Sequence, residues 1–99
     1  MKHDVSDLTS RIAVLKAIEE CDRLGRNAFL RKHGYGEARR YFLAYQGQLY
    51  DSKGIVGVAF GYQYPDLGPL TRDEFSGGEN TVQRKLEELG FEVQVLPAS

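Results

Sequence analysis

RYFLAYQGQLYDSKGIVGVAFGY (residues 40–62) changes its hydrophobic period midway, from two to helical, and the fold class turns on that change. Arg40 to Tyr45 alternates Tyr41, Leu43 and Tyr45 on one side with Phe42 and Ala44 on the other. Aromatic enrichment on both sides predicts a strand buried on both faces. Gln46-Gly47 predicts a tight hairpin turn with Gly47 at positive φ, and Gln48 to Tyr50 forms the short returning strand. Asp51 or Ser52 then caps a helix that carries Ile55, Val56, Val58 and Ala59 to about Tyr62. Gly54, Gly57 and Gly61 share one face of that helix, and each costs about 1 kcal/mol relative to alanine. Something must therefore approach the backbone closely, either another element of the fold or a ligand or phosphate backbone.

On the N-terminal side, apolar positions recur from Leu8 at Ile12, Leu15, Ile18 and Cys21, a helical stripe. Ser6 or Ser10 is placed to start that helix and Gly25 to end it. A short helix from Arg26 to His33 turns Phe29 and Leu30 inward and stops at Gly34, with Tyr35-Gly36 as a turn. On the C-terminal side, Tyr64 to Pro69 reads as a surface loop. Two capping-box patterns follow: Thr71 with Glu74 opens a single turn, and Ser76 with Glu79 opens a helix through Val82, Leu86 and Leu89. Gly90 ends it, and Phe91 to Leu96 alternates as a last strand before Pro97. The expected fold is α+β in one domain spanning residues 1–99. Its three-stranded, largely antiparallel sheet (Arg40–Tyr45, Gln48–Tyr50, Phe91–Leu96) is covered by about four helices.

A chain of 99 residues buries roughly 60–70% of its unfolded surface and needs neither disulfide nor metal to fold. The single cysteine, Cys21, fits a reducing compartment, and no apolar run resembles a signal peptide or a membrane span. A cytoplasmic protein without membrane contact is expected. Net charge is −1, but residues 26–53 hold six Lys/Arg against Glu37 and Asp51, between acidic flanks. A basic middle of this kind is a candidate binding face or an ordinary mixed surface.

Catalytic constellations are missing from the sequence. The two histidines, His3 and His33, and one cysteine fit no zinc spacing, and there is neither a phosphate loop nor a nucleophile elbow. The expectation is a binding module with no cofactor and no catalytic residue. Three segments offer binding chemistry. Ser76, Gly77 and Gly78 precede a helix whose free amides suit an anion, with Asn80, Gln83 and Arg84 in the following turns. Ser52 and Lys53 open the glycine-bearing helix, where a lysine opposes the helix dipole and so hints at an anionic partner, unless it pairs with Asp51. Arg39 and Arg40 run into the tyrosines, which suits phosphate contact and stacking, with Tyr41 and Tyr50 as candidates to line a base pocket.

Three segments, LGRNAFLRKHGYGEARRYFL (24–43), YDSKGIVGVAFGY (50–62) and FSGGENTVQRKLEELGFEV (75–93), together resemble the N-terminal head domain of actinobacterial HNH-type, modification-dependent (type IV) restriction endonucleases. The similarity covers about Leu24 to Val95. It implies a DNA-recognition domain of a DNA-defence system, contacting double-stranded DNA, modified DNA included, with an HNH nuclease module in cis or in trans. No HNH motif is present, so the resemblance implies no catalytic role for any residue here. The chain also departs from the family pattern at Gly54, usually alanine, and at Phe60, usually histidine. Two other functions fit the residues: a protein-interaction domain that assembles a nuclease through its glycine face and tyrosines, and a small-ligand sensor with an aromatic pocket.

Overall fold

The structure, a computed structural model, describes residues 4–75 and 78–97. Strand β1 (Tyr41–Tyr45) lies at the centre of an antiparallel sheet, between β2 (Gln48–Asp51) and β3 (Glu92–Val95). Gln46 and Gly47, at φ 49° and 79°, form the two-residue turn between β1 and β2. Two consecutive positive φ values give the turn a twist that matches the flanking strands. Leu43 is fully buried and pairs with Tyr50 on one side and Val93 on the other, which fixes the inward face of all three strands. Among the described residues four α-helices accompany the sheet: α1 (Arg11–Leu24), α2 (Arg26–His33), α3 (Ser52–Gln63) and α4 (Glu79–Glu88). The α+β architecture expected from the sequence is the one observed.

Helix α3 is the centre of the molecule. Ile55, Val56, Val58, Ala59 and Phe60 are all buried, so it is apolar around nearly its whole circumference, as a helix must be when others surround it. Its most extensive partner is α1, which presents Ala13, Val14, Ala17, Ile18 and Cys21. This face differs from the expected stripe: Ile12 is 66% exposed and Leu15 only half-buried. Small residues at positions 13, 17 and 21 let the two helices approach closely, and the helix is rotated to use them. Ser10, not Ser6, caps α1, its hydroxyl accepting from the Ala13 amide at 3.1 Å.

Because the helices pack around α3, they cover one face of the sheet. On the other face Phe42 and Ala44 are half-buried, while Leu49, Glu92 and Gln94 are exposed. The expected burial of β1 on both faces therefore does not occur.

The glycine face of α3 is filled from within the chain. A β-carbon on Gly57 would collide with the Tyr35 hydroxyl and lie 2.7 Å from its ring carbon Cζ, and one on Gly61 would lie 2.6 Å from the Pro69 nitrogen. The Leu70 amide donates to the Gly57 carbonyl at 3.1 Å, and the Tyr35 hydroxyl donates to the Leu70 carbonyl. The segment after α3 is thus strapped back along the helix, and no room remains there for a ligand. Gly54 is less crowded, facing the flexible end of Leu30 at 3.1 Å. Gly57→Ala and Gly61→Ala should each destabilise the fold by about 1–3 kcal/mol, the usual cost of overpacking. Gly54→Ala should be close to neutral, because helix propensity returns about 1 kcal/mol. Urea denaturation midpoints of the three variants check this ordering.

Candidate nucleic-acid interface

Asp51 organises the start of α3. It occupies the N-cap position, yet its carboxylate makes no cap hydrogen bond. Instead Oδ1 accepts from Nε of Arg26 at 2.8 Å, and Oδ2 accepts from Nη2 of Arg26 at 2.9 Å and from the Ala38 amide at 2.7 Å. A buried carboxylate requires such compensation. The hydrogen bond from Asp51 is also the main cause holding the Arg26 guanidinium above its ordinary pKa, against the opposing effect of burial. Arg26 further reaches Glu37 at 3.2 Å and the Ala38 carbonyl at 3.3 Å, which pins the 36–38 loop beside the helix start. The Ser52 hydroxyl donates to the Tyr41 carbonyl at 3.0 Å and closes the other side. Among the described residues no side chain caps the first amides of α3.

They open into a cleft of about 220 Å³. The 36–38 loop and Tyr35 form one wall, Tyr41 and Val82 another, and Ser52, Lys53 and Gly54 the end, with Arg72 and Glu79 at the rim. Helix α4 also begins here, with Gly78 as its N-cap and no side-chain cap bond. The helix thus starts at Glu79, two residues beyond the point that a Ser76–Glu79 capping box predicts. Lys53 is exposed, and its ammonium stands 5.1 Å from the Phe75 ring centroid. It has no carboxylate partner among the described residues, since Asp51 is committed to Arg26.

The predicted residues separate into three groups. Tyr41, Ser52 and Lys53 line the cleft, and Asn80 joins them because its Oδ1 accepts from the Tyr41 hydroxyl at 3.3 Å, with Gly78 adjacent in the chain. Arg39, Arg40 and Arg84 are exposed and do not line the cleft. Arg39 follows Ala38 directly and makes no hydrogen bond or ion pair among the described residues. Arg40 donates from Nε to the Leu96 carbonyl at 3.1 Å, with its guanidinium 5.8 Å from the Tyr41 ring centroid. Tyr50 stands apart: it is buried, its hydroxyl donates to Asp22 at 2.7 Å, and it lines a different recess with Cys21 and Arg26. Burial, then the Asp22 contact, holds its phenol well above the ordinary pKa. Ser76 and Gly77 lie outside the described residues. Arg72 had no place in the sequence reading, because the strap along α3 that carries it here leaves no local signal.

A second polar cluster binds three helices together. Glu20 of α1 is buried and accepts from the Tyr62 hydroxyl of α3 at 2.6 Å and from Nε2 of His33 of α2 at 2.6 Å, with Lys32 at 3.5 Å. Burial alone would raise the Glu20 pKa, but the His33 and Tyr62 hydrogen bonds and the nearby cations outweigh it and hold the group below its ordinary value of 4.5. His33 is thus spoken for as a structural partner. Among the described residues no group of three or more His, Cys, Asp or Glu side chains is placed to hold a metal ion. No helix among them is long and apolar enough to cross a membrane. A carboxyl with a depressed folded-state pKa stabilises fully above the unfolded pKa and loses that contribution as pH falls through the folded one. Glu20→Gln should therefore cost about 1–3 kcal/mol at neutral pH. Its deficit relative to the wild type should shrink steadily below pH 4.5. Denaturation midpoints measured across that range test it.

Residues 6–95 match the family profile described as the ScoMcrA-like, N-terminal head domain. Among solved structures, the chain is similar to the type IV phosphorothioation-dependent restriction endonuclease ScoMcrA, at 33% sequence identity and a TM-score of 0.66. That similarity covers 94% of this chain and 14% of the endonuclease, so the chain corresponds to a small part of the larger protein's length. Comparison with curated proteins gives no match.

Proposed function

Since this chain belongs to the ScoMcrA-like N-terminal head domain family, we propose that it is a DNA-recognition domain of a restriction system that leaves cleavage to an HNH module in cis or in trans. The observation that carries the reading is a set of cations at and near the start of α3 of which Lys53, Arg39 and Arg40 have no acidic partner among the described residues, while Arg72 is 3.9 Å from its neighbour Asp73. Lys53 stands at the open start of α3, Arg39 and Arg40 lie at the entry to β1, and Arg72 stands at the rim of the same cleft. Phosphates are the natural counterions for such a face, and two uncapped helix starts add partial positive charge to it. The acidic balance of residues 54–99 disfavours DNA elsewhere on the surface. Such a domain works in the cytoplasm, on double-stranded DNA. The similar endonuclease depends on phosphorothioation, so a phosphorothioated duplex is the first modified DNA to compare.

A second reading has its own observation. Leu49, on the uncovered side of the sheet, is 46% exposed, and Val95 and Leu96 at the end of β3 are 41% and 37% exposed, which fits a surface that assembles with a nuclease subunit. Salt separates the two, because phosphate contacts weaken steeply with added salt and an apolar contact changes little.

Titration of phosphorothioated and unmodified duplexes at roughly 50 and 200 mM salt is the test. Arg39→Ala, Arg40→Ala and Lys53→Ala should each weaken binding about equally for all sequences, because phosphate contacts carry position and not base identity. Each should lower the salt slope by roughly one unit or less. Undetectable binding at low salt, or variants that bind like the wild type with an unchanged slope, would favour the assembly reading.

A further inference from the structure

We infer that the cleft at the start of α3 receives a single unpaired nucleotide, with its phosphate at Lys53 and Arg72 and an amino-bearing base turned toward Glu79. The inference rests on the DNA-recognition reading above and goes beyond it, since phosphate contact alone requires no cleft. Volume limits the occupant first. About 220 Å³ lies below the ~300–1,000 Å³ of sites for drug-sized ligands. It exceeds the ~150 Å³ that suffices for one aromatic ring. One base fits, whereas a base pair does not.

Charge limits it next. Lys53 and Arg72, the latter only loosely paired with its exposed neighbour Asp73 at 3.9 Å, favour an anion, but Glu79 lines the same cleft and has no ion-pair partner among the described residues. A bare phosphate is attracted by the two cations and repelled by that carboxylate. A nucleotide satisfies both, because cytosine and adenine carry exocyclic amines that donate to a carboxylate. Unpaired thymine has no exocyclic amine, and its one ring donor, N3–H, lies between two carbonyl oxygens that repel the carboxylate, so it binds more weakly. The other carboxylates in the lining are committed, Glu37 and Asp51 both to Arg26. Tyr41 supplies the aromatic wall, steadied by its hydroxyl's bond to Asn80. A base enters such a cleft only when it is out of its stack, which is least costly in single-stranded or mispaired DNA.

The experiment measures affinity for short single-stranded homopolymers of deoxycytidine, deoxyadenosine and thymidine, and for a matched duplex, with wild type, Glu79→Gln, Tyr41→Leu and Lys53→Ala. The wild type should bind the cytosine and adenine strands about tenfold tighter than the thymine strand, as expected for one good base contact. Glu79→Gln should bring that ratio close to one, even if removal of its charge raises affinity for every strand. Tyr41→Leu should weaken the cytosine and adenine strands by about tenfold, on the scale of one lost stack. Lys53→Ala should weaken all strands alike. Equal affinity for the three strands, or a preference that survives Glu79→Gln, overturns the inference while the DNA-recognition reading stands. Failure to bind any strand or duplex overturns both. Glu79 is exposed, so this variant reports on binding without disturbing the core.

Discussion

The close approach between α3 and the segment that follows it is the contact on which the other features depend. Gly57 and Gly61 give up helix stability so that Tyr35, Pro69 and Leu70 can lie against the helix backbone. Tyr35 carries with it the 36–38 loop, and Leu70 carries the turn that holds Arg72. One wall of the cleft and the turn that bears Arg72 are thus hung from the same side of one helix. If that side had side chains, the loop and the turn would stand away and the cleft would be an open surface.

The second organising choice is electrostatic. Asp51 sits where a capping residue belongs but uses its carboxylate to hold Arg26 and the Ala38 amide. A single side chain therefore joins α2, the loop and the β2–α3 junction, and does so without capping the helix. The burial that forces Asp51 to find a cation is the same burial that fixes the geometry of the cleft. Arg26 is consumed by the fold, while Lys53 and Arg39 have no ion-pair partner among the described residues.

Much of this was legible in the sequence because it is local. The period-two run of β1, the Gln46-Gly47 turn, α2 from Arg26 to His33 and the Thr71–Glu74 cap each depend on neighbours within a few positions. Gly54, Gly57 and Gly61 announced a close approach, though not what approaches, because Tyr35 and Pro69 are remote or carry no pattern of their own. The buried side of α1 was misjudged for a related reason: hydrophobicity favours Ile12, whereas a partner helix at short range favours Ala13 and Ala17. Within the cleft, Tyr41, Ser52 and Lys53 were identified by local chemistry. Tyr50 was grouped with them on residue type alone, and strand alternation places it on the inward face beside Leu43, where Asp22 takes its hydroxyl.

The arrangement of the sheet also bears on whether copies of the protein can pair through their strand edges. Central placement of β1 leaves both β2 and β3 as edges, and an unpaired edge is a template for adding strands from other molecules. Neither edge is long enough to serve. Strand β2 has four residues and passes into α3 without a connecting loop, so a foreign strand would run into a helix after two or three hydrogen bonds. Strand β3 also has four residues, carries Glu92 at its start and meets Pro97 two residues past its end. Proline has no amide to continue a ladder. The brevity of these strands, which limits the size of the core, also protects the molecule against edge-to-edge polymerisation.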